Sequence, residues 1–203
     1  MTITKLEILT HLNKELNRSE AQEDIDEYIL EALKDLSLRD NFLWVETTVP
    51  TIDGRAYYSV PEDYKSLLVI KIDDNTPLCK ITFREYQQCI AGQTTDNEGE
   101  PYCFAIHGGF IYPYPVPNMV YIMTLHYVAF ILETEDAVLA IDNIPFKDIY
   151  RQAIYALTKA YYCLSKGLTD DANTYLTLFS NILLPPLQKL IERETRSIEY
   201  QDL

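Results

Sequence analysis

The stretch from Gly99 to Phe130 constrains this chain more than any other. Tyr102, Phe104 and Ile106 alternate with smaller residues, His107-Gly108-Gly109 supplies a tight turn, and Phe110-Ile111-Tyr112 starts back, which is the pattern of a β-hairpin. Pro113, Pro115 and Pro117 follow at alternate positions. A proline cannot donate to a neighbouring strand, so the three are expected to stop the ladder in a stiff, extended connection. The next apolar run, Val120 to Phe130, is long enough for a central strand.

Helical spacing dominates before that stretch. Ile3, Leu6, Leu9, Leu12 and Leu16 fall on one face of a first helix, and a second is expected from Glu20 to Leu38 with Ile25, Ile29, Leu33 and Leu36 inward. Its outer face carries Glu20, Glu23, Asp24, Asp26, Glu27 and Glu31. Charge runs of this kind are most often a solvated face, and the alternative is a channel wall that repels DNA. Asn41 to Pro50, with the single tryptophan Trp44, reads as a helix exit into a strand. Arg55 to Val60 and Lys65 to Ile72 are strand patterns bounded by Asp53-Gly54 and by the turn Asp73 to Pro77, with a short strand at Leu78 to Ile81. Thr82 and Glu85 have the spacing of a capping box, which predicts a short helix to Ile90 stopped by Gly92. Gln93 to Glu98 reads as a polar loop.

After the hairpin region, Pro145 suits the first turn of another helix. Phe146, Ile149, Ala153, Ala156, Leu157, Ala160 and Leu164 make its apolar stripe, leaving Lys147, Arg151 and Lys159 to water. Gly167 as C-cap and Thr169 as N-cap predict a helical hairpin, continued by Ala172, Leu176, Phe179 and Leu183. Pro185-Pro186 is expected to kink the last helix or split it in two. The fold class is therefore α+β, a helical bundle with a long C-terminal helical hairpin and an inserted antiparallel β-rich lobe. Its segments are 1–43, the N-terminal helices; 44–132, the β-rich lobe with one short helix; and 133–203, the hairpin and tail.

The charge balance narrows the function. The 203 residues carry a formal charge of −14, which argues against a protein that wraps DNA through phosphate contacts. No segment approaches the about 20 apolar residues that a membrane span needs, and no N-terminal stretch reads as a secretion signal, so a cytosolic, soluble product is expected. Cys79, Cys89, Cys103 and Cys163 form no Cys-x-x-Cys pair and sit among apolar residues, the setting of free, buried thiols.

Motif by motif, no enzyme emerges. No phosphate-binding loop, nucleophile elbow or His-Glu-x-x-His occurs. Cys103 and His107, four apart on a strand, do not meet as helical i, i+4 ligands do, His126 reads as a core or edge histidine, and His11 as a helix-surface one. Gly108 and Gly109 lack the following helix that would make them a phosphate cradle. No catalytic residue, metal or cofactor is expected. Tyr112, Tyr114, Tyr121 and Tyr127 have two readings, core packing or a protein interface, since no Lys or Arg is interleaved with them as a nucleic-acid platform requires.

A Gly-x-Pro opening, an aromatic strand, a Gly-Gly turn, Ile111-Tyr112-Pro113-Tyr114-Pro115 and a strand ending Tyr127-Val128-Ala129-Phe130 together resemble the adaptor proteins of tailed bacteriophages. Upstream, Tyr57-Tyr58-Ser59-Val60-Pro61-Glu62-Asp63-Tyr64 is similar to the family's Tyr-x-Leu/Val-Pro-x-Asp element, and the likeness runs over residues 20 to 195; Pro185-Pro186 departs from it. The resemblance implies a structural protein of the virion neck, made in the host cytoplasm. Such a protein joins portal to a tail or nozzle protein in a closed ring of about twelve copies through which double-stranded DNA passes without specific binding. It also implies a portal-docking tail, for which Ile198, Tyr200 and Leu203 alternate as an added strand requires, and it makes Glu20, Glu23, Asp24, Glu27 and Glu31 candidates for the channel wall. The alternatives are another tail or neck completion protein, or a non-viral ligand- or peptide-binding module.

Overall fold

The computed structural model describes residues 2–16, 22–39, 41–73, 76–92, 97–131 and 143–191. Along the chain run β1 (Thr2–Thr4), α1 (Lys5–Leu16), α2 (Gln22–Arg39), β2 (Trp44–Pro50), β3 (Tyr58–Ser59), β4 (Tyr64–Ile72), β5 (Thr76–Pro77), β6 (Cys79–Lys80) and α3 (Phe83–Ala91). There follow β7 (Glu98–Gly99), β8 (Cys103–His107), β9 (Phe110–Tyr114), β10 (Val116–Pro117), β11 (Ile122–Ala129), β12 (Asn143–Lys147), α4 (Arg151–Ser165) and α5 (Thr169–Leu178). A π-helical segment, Phe179–Leu183, leads into α6 (184–191). The fold is mixed α+β; its strands pair antiparallel except for β6 with β8 and β7 with β10, which are parallel, so the β-rich lobe, expected to be antiparallel, is not wholly so. It divides into two compact units, Met1–Leu43 with Phe130–Leu203, and Trp44–Ala129.

In the helical unit α1 opens on a capping box. The Glu7 N–H donates to Thr4 Oγ1 and the Thr4 N–H to Glu7 Oε2, both at 3.2 Å. With the helix phased from Thr4, Ile8 and Leu12 face inward while Leu6, read as part of the apolar face, is 67% exposed. α2 buries Ile29, Leu33 and Leu36 as expected, and packs on α4, which buries Ala153, Ile154, Leu157, Ala160 and Cys163. Each fully buried Leu or Ile here contributes about 1.5–3 kcal/mol. Ile149, just before α4, and Leu164, in its last turn, belong to the expected apolar stripe but are exposed.

Pro145 lies in a strand, and the helix starts six residues later. β12 pairs antiparallel with β1, with Thr2 opposite Lys147 and Ile3 opposite Ile144, so Pro145 and Phe146 fall within a bulge that asks no ladder donor of the proline. α4 ends in a Schellman motif: the Leu168 N–H donates to Cys163 O at 2.8 Å and the Gly167 N–H to Leu164 O at 3.1 Å, with Gly167 at φ +74°. Lys166 is the C-cap and Leu168, without a side-chain bond, the N-cap of α5, so Gly167 lies one position beyond the expected cap and Thr169 is already helical. Nor does Pro185-Pro186 split the last helix. The preceding π turn widens the coil, the Leu184 N–H bonding Phe179 O five residues back, and helix continues through both prolines to bury Leu187 and Ile191.

The β unit has two four-stranded sheets, ordered β2-β11-β4-β5 and β3-β9-β8-β6. β11 is a central strand, antiparallel to both β2 and β4, and buries Met123, Leu125, Tyr127 and Val128. β8 and β9 form the expected hairpin. His107 pairs with Phe110 across Gly108 and Gly109, whose φ values of +59° and +81° are those of a type I′ turn. The ladder does not stop at Pro113, which lies opposite Phe104 and three pairs beyond the His107–Phe110 closure. Alternation along the ladder makes that a non-hydrogen-bonded position, where a strand residue donates nothing to its partner. β3 is shorter than the pattern from Arg55 to Val60 suggested, and the cap of α3 is a complete capping box, with the Thr82 N–H on Glu85 Oε2 at 2.8 Å.

None of the four cysteines is in a disulfide, but two are not buried. Cys79 is exposed because β6 is the edge strand of its sheet, and Cys89 is half-buried on α3; only Cys103 and Cys163 are enclosed.

Candidate functional site

Four apolar side chains stand out of one corner of the β unit. Thr51, itself buried, clamps the loop that follows β10: its N–H donates to Tyr121 O at 2.8 Å, its Oγ1 donates to Met119 O at 3.0 Å, and that same oxygen accepts the Tyr121 N–H at 2.8 Å. Ile122 and Asp73 add a second clamp, the Ile122 N–H on Asp73 Oδ1 and the Asp73 N–H on Ile122 O, each at 2.8 Å. Tyr58 secures the third side, accepting the Ile52 N–H at 2.8 Å through its hydroxyl. Every backbone group in these clamps is satisfied, yet the surface they hold consists of Ile52, Met119 (55% exposed), Val120 (62% exposed) and Ile122. Exposed apolar groups carried on a hydrogen-bonded backbone make this corner a candidate interaction surface. In the sequence Val120 opens the apolar run read as a central strand, so nothing there marks Met119 and Val120 as exposed.

Aromatic rings form a second continuous feature. From Tyr57 the chain of ring contacts passes to Phe110 (5.3 Å) and Tyr112 (6.1 Å), from Tyr112 to Phe83 (5.1 Å) and Tyr86 (5.4 Å), and from Phe83 to His107 (4.2 Å, stacked). Tyr86 then leads through Tyr114 (6.3 Å) to Tyr102 (5.8 Å). Its ends, Tyr57 and Tyr102, are exposed; Tyr86 and Tyr114 are buried, Phe83, Phe110 and Tyr112 half-buried, and His107 is exposed. Of the four tyrosines singled out, only Tyr112 keeps partial exposure within this run. Tyr114, Tyr121 and Tyr127 are core residues. Tyr114 ends β9, Tyr121 directly precedes β11 and Tyr127 lies within it, and two polar tips are satisfied: Tyr121 donates to Asn118 Oδ1 at 2.9 Å and Tyr127 to Asp63 Oδ1 at 2.8 Å. Burial, then the Asp63 bond, raise the Tyr127 phenol above its ordinary range.

In the helical unit a groove of about 380 Å³ runs between α1 and α4, lined by Leu6, Glu7, Thr10, His11, Lys14, Arg151 and Tyr155. Arg151 bridges it, bonded to Asp148 Oδ1 at 2.7 Å and Glu7 Oε2 at 3.2 Å. At its end Lys159, expected in water, is only 6% exposed. The ammonium binds Glu15 Oε2, lies 3.3 Å from His11 Nε2 and sits over the Tyr175 ring, while His11 stacks on Tyr155 at 4.2 Å. Burial and then the Lys159 charge lower the His11 pKa; burial alone would raise Glu15, but the Lys159 bond and charge outweigh it and hold that carboxyl below its ordinary value. These bonds tie α1 to α4.

The acidic face of α2 is only partly bare. Glu27 and Glu31 are exposed, but Glu31 pairs with Lys34 at 3.1 Å, Asp35 with Arg39 at 2.9 Å, and Asp26 with Lys5 at 3.4 Å. The side chains of Glu23 and Asp24, residue Glu20, and the tail residues Ile198, Tyr200 and Leu203 lie outside the described residues. His126 pairs across the sheet with Glu46 at 3.3 Å, the residue directly opposite in register. Among the described residues no cluster of three or more His, Cys, Asp or Glu could hold a metal, and no helix is long and apolar enough to cross a membrane.

Compared with protein families, the chain matches the model of the SU10 adaptor protein over residues 1–197. The chain belongs to the SU10 adaptor protein family. No curated protein matches it. SU10 adaptor membership makes the chain a structural adaptor of a bacteriophage, a component of the virion neck that meets other head and tail proteins. For an SU10 adaptor, the pinned apolar corner is a candidate surface for a protein partner.

Proposed function

We propose that this chain forms a ring under the portal, joins capsid to tail and lines the DNA channel, without catalysis. The observation that carries this reading is the corner of Ile52, Met119, Val120 and Ile122, apolar and exposed on a backbone that hydrogen bonds hold fixed. A surface already in its final shape loses little entropy when a neighbour covers it. In the proposed ring that neighbour is the next copy, and lateral contacts of this size are individually weak, so the portal aligns them by raising their effective concentration. The residues after Pro186 dock to the portal, with Ile198, Tyr200 and Leu203 as the strand-adding set, while the −14 charge lets DNA slide past.

Incubation of the protein with portal particles, followed by electron microscopy, tests the reading. Rings on portal are expected for the natural chain, for which light scattering of the isolated protein finds monomers or small oligomers. Val120→Asp leaves the melting temperature within about 1 °C, as for a surface change of under about 0.5 kcal/mol, and abolishes the ring. Deleting residues 197–203 likewise spares folding but strongly weakens attachment. Unimpaired rings with Val120→Asp would remove the corner from the lateral interface, and normal attachment of the truncated chain would refute the docking tail.

A further inference from the structure

Three of the four cysteines converge in the β unit. β6 runs parallel to β8 with Cys79 directly opposite Cys103. Adjacent strands lie about 4.8 Å apart, inside the range of about 4.4–6.8 Å over which disulfides join Cα atoms. Cys89, on α3, packs against the same cluster of Tyr86, Cys103, Ala105 and Tyr114. Exposure is graded across the three: Cys79 is exposed, Cys89 half-buried, Cys103 buried. Burial, and then the neighbouring Cys89 and Cys79, push the Cys103 thiol up to about 11. An oxidant from solvent therefore meets an outer thiol first, and Cys103 is the reserve.

We propose that Cys79, Cys89 and Cys103 form a redox site in which hydrogen peroxide oxidises an outer thiol and Cys103 resolves the product as an intramolecular disulfide. In the first step the outer sulfur attacks the peroxide O–O bond; an S–O bond forms, the O–O bond breaks, and one water leaves. In the second, the Cys103 sulfur attacks the sulfenic sulfur; the S–S bond forms, the S–O bond breaks, and the departing hydroxide takes the Cys103 proton as a second water. Two thiols lose two electrons and two protons, and one peroxide becomes two waters. The bond ties either the edge strand β6 or helix α3 to β8, and a dithiol reductant reverses it. Cys163, buried in α4 of the helical unit, is the internal control.

The test is made on the reduced full-length chain, treated with hydrogen peroxide, alkylated, digested without reduction and mapped by mass spectrometry. A peptide pair joining Cys103 to Cys79 or Cys89 is expected, lost on dithiothreitol, with Cys163 alkylated only after unfolding. In Cys103→Ser, dimedone labelling of Cys79 or Cys89 should rise several-fold, because the sulfenic acid is no longer resolved. A Cys103 that stays reduced while the outer thiols go on to sulfinic acid or pair between molecules would overturn the proposal. The natural chain's map decides this even should the variant fold poorly.

Discussion

Lys159 Nζ lies 3.3 Å from His11 Nε2, and Glu15 closes the triangle from the same helix as the histidine. The arrangement tolerates one positive charge, which Glu15 balances, and a second on the imidazole would face Lys159 across that short gap. Lys14, further along α1, adds to the same pressure. Folding thus holds the His11 pKa below its ordinary 6.5, and burial contributes most to that shift. In the unfolded chain His11 binds a proton more readily, so the stabilisation from keeping it neutral is complete above pH 6.5 and is lost as pH falls through and below that value. Glu15 acts in the same direction lower down: with a folded pKa below 4.5, its contribution disappears as pH drops under that figure. Thermal unfolding at pH 8 and at pH 5.5 should show a lower midpoint at the acid value, and His11→Gln should shrink the difference. An unchanged difference in the variant would assign the pH dependence elsewhere.

The two sides of the Lys159–Glu15 pair should not be equivalent. Glu15 is 41% exposed in its side chain and Lys159 8%, so each is left in a different medium when its partner goes. Lys159→Met keeps the packing of the stem and returns Glu15 to water, costing about 1 kcal/mol or less. Glu15→Gln instead strands a buried ammonium, at about 2 kcal/mol. Urea titrations of the two variants decide the order, and a larger loss from Lys159→Met would contradict the account.

Gly167 offers a cleaner test because nothing else is involved. A Cβ built there meets no atom within 4 Å, so Gly167→Ala is resisted by its φ of +74° alone, at about 1–2 kcal/mol. Gly92, which ends α3 at φ −82°, carries no such conformational demand. Chemical denaturation should show the loss at Gly167, and a neutral outcome would mean that the α4–α5 link relaxes out of the Schellman geometry.

What could be read in advance was what neighbouring residues decide between themselves. Thr82 with Glu85, Gly108 with Gly109 and the apolar run of β11 are settled within a few positions, and they stand as the pattern implied. Thr4 with Glu7 is the same kind of signal and starts α1, in which Ile8 rather than Leu6 faces the core. Pro145 was misplaced because its partner strand, Thr2–Thr4, is some 140 residues away and carries no strand pattern of its own. Lys159 was misplaced for a similar reason: its counter-ion comes from α1, and only the packed helices show that the amine need not reach water. The tyrosines illustrate a different limit. Tyr114, Tyr121 and Tyr127 have the composition of an interface, and their burial follows from the sheet register, whereas Met119 and Val120, written like the interior of a strand, are what the folded unit leaves outside.

The last expectation concerns DNA. A channel protein should let the duplex pass without capture, and capture depends on Lys and Arg free to replace counterions along the phosphates. Lys5, Lys34, Arg39, Arg151 and Lys159 are each engaged with a carboxylate of the same unit, within a chain whose formal charge is −14. Cations held in this way neutralise acids of the protein itself, and moving one to a phosphate strands its carboxylate. The purified protein should therefore show no retardation of linear duplex DNA at about 50 mM salt, where a binder making several phosphate contacts would be about 10³-fold tighter than at about 200 mM. Micromolar binding that weakens steeply between those two conditions would show a phosphate-facing surface and would contradict the proposed sliding wall.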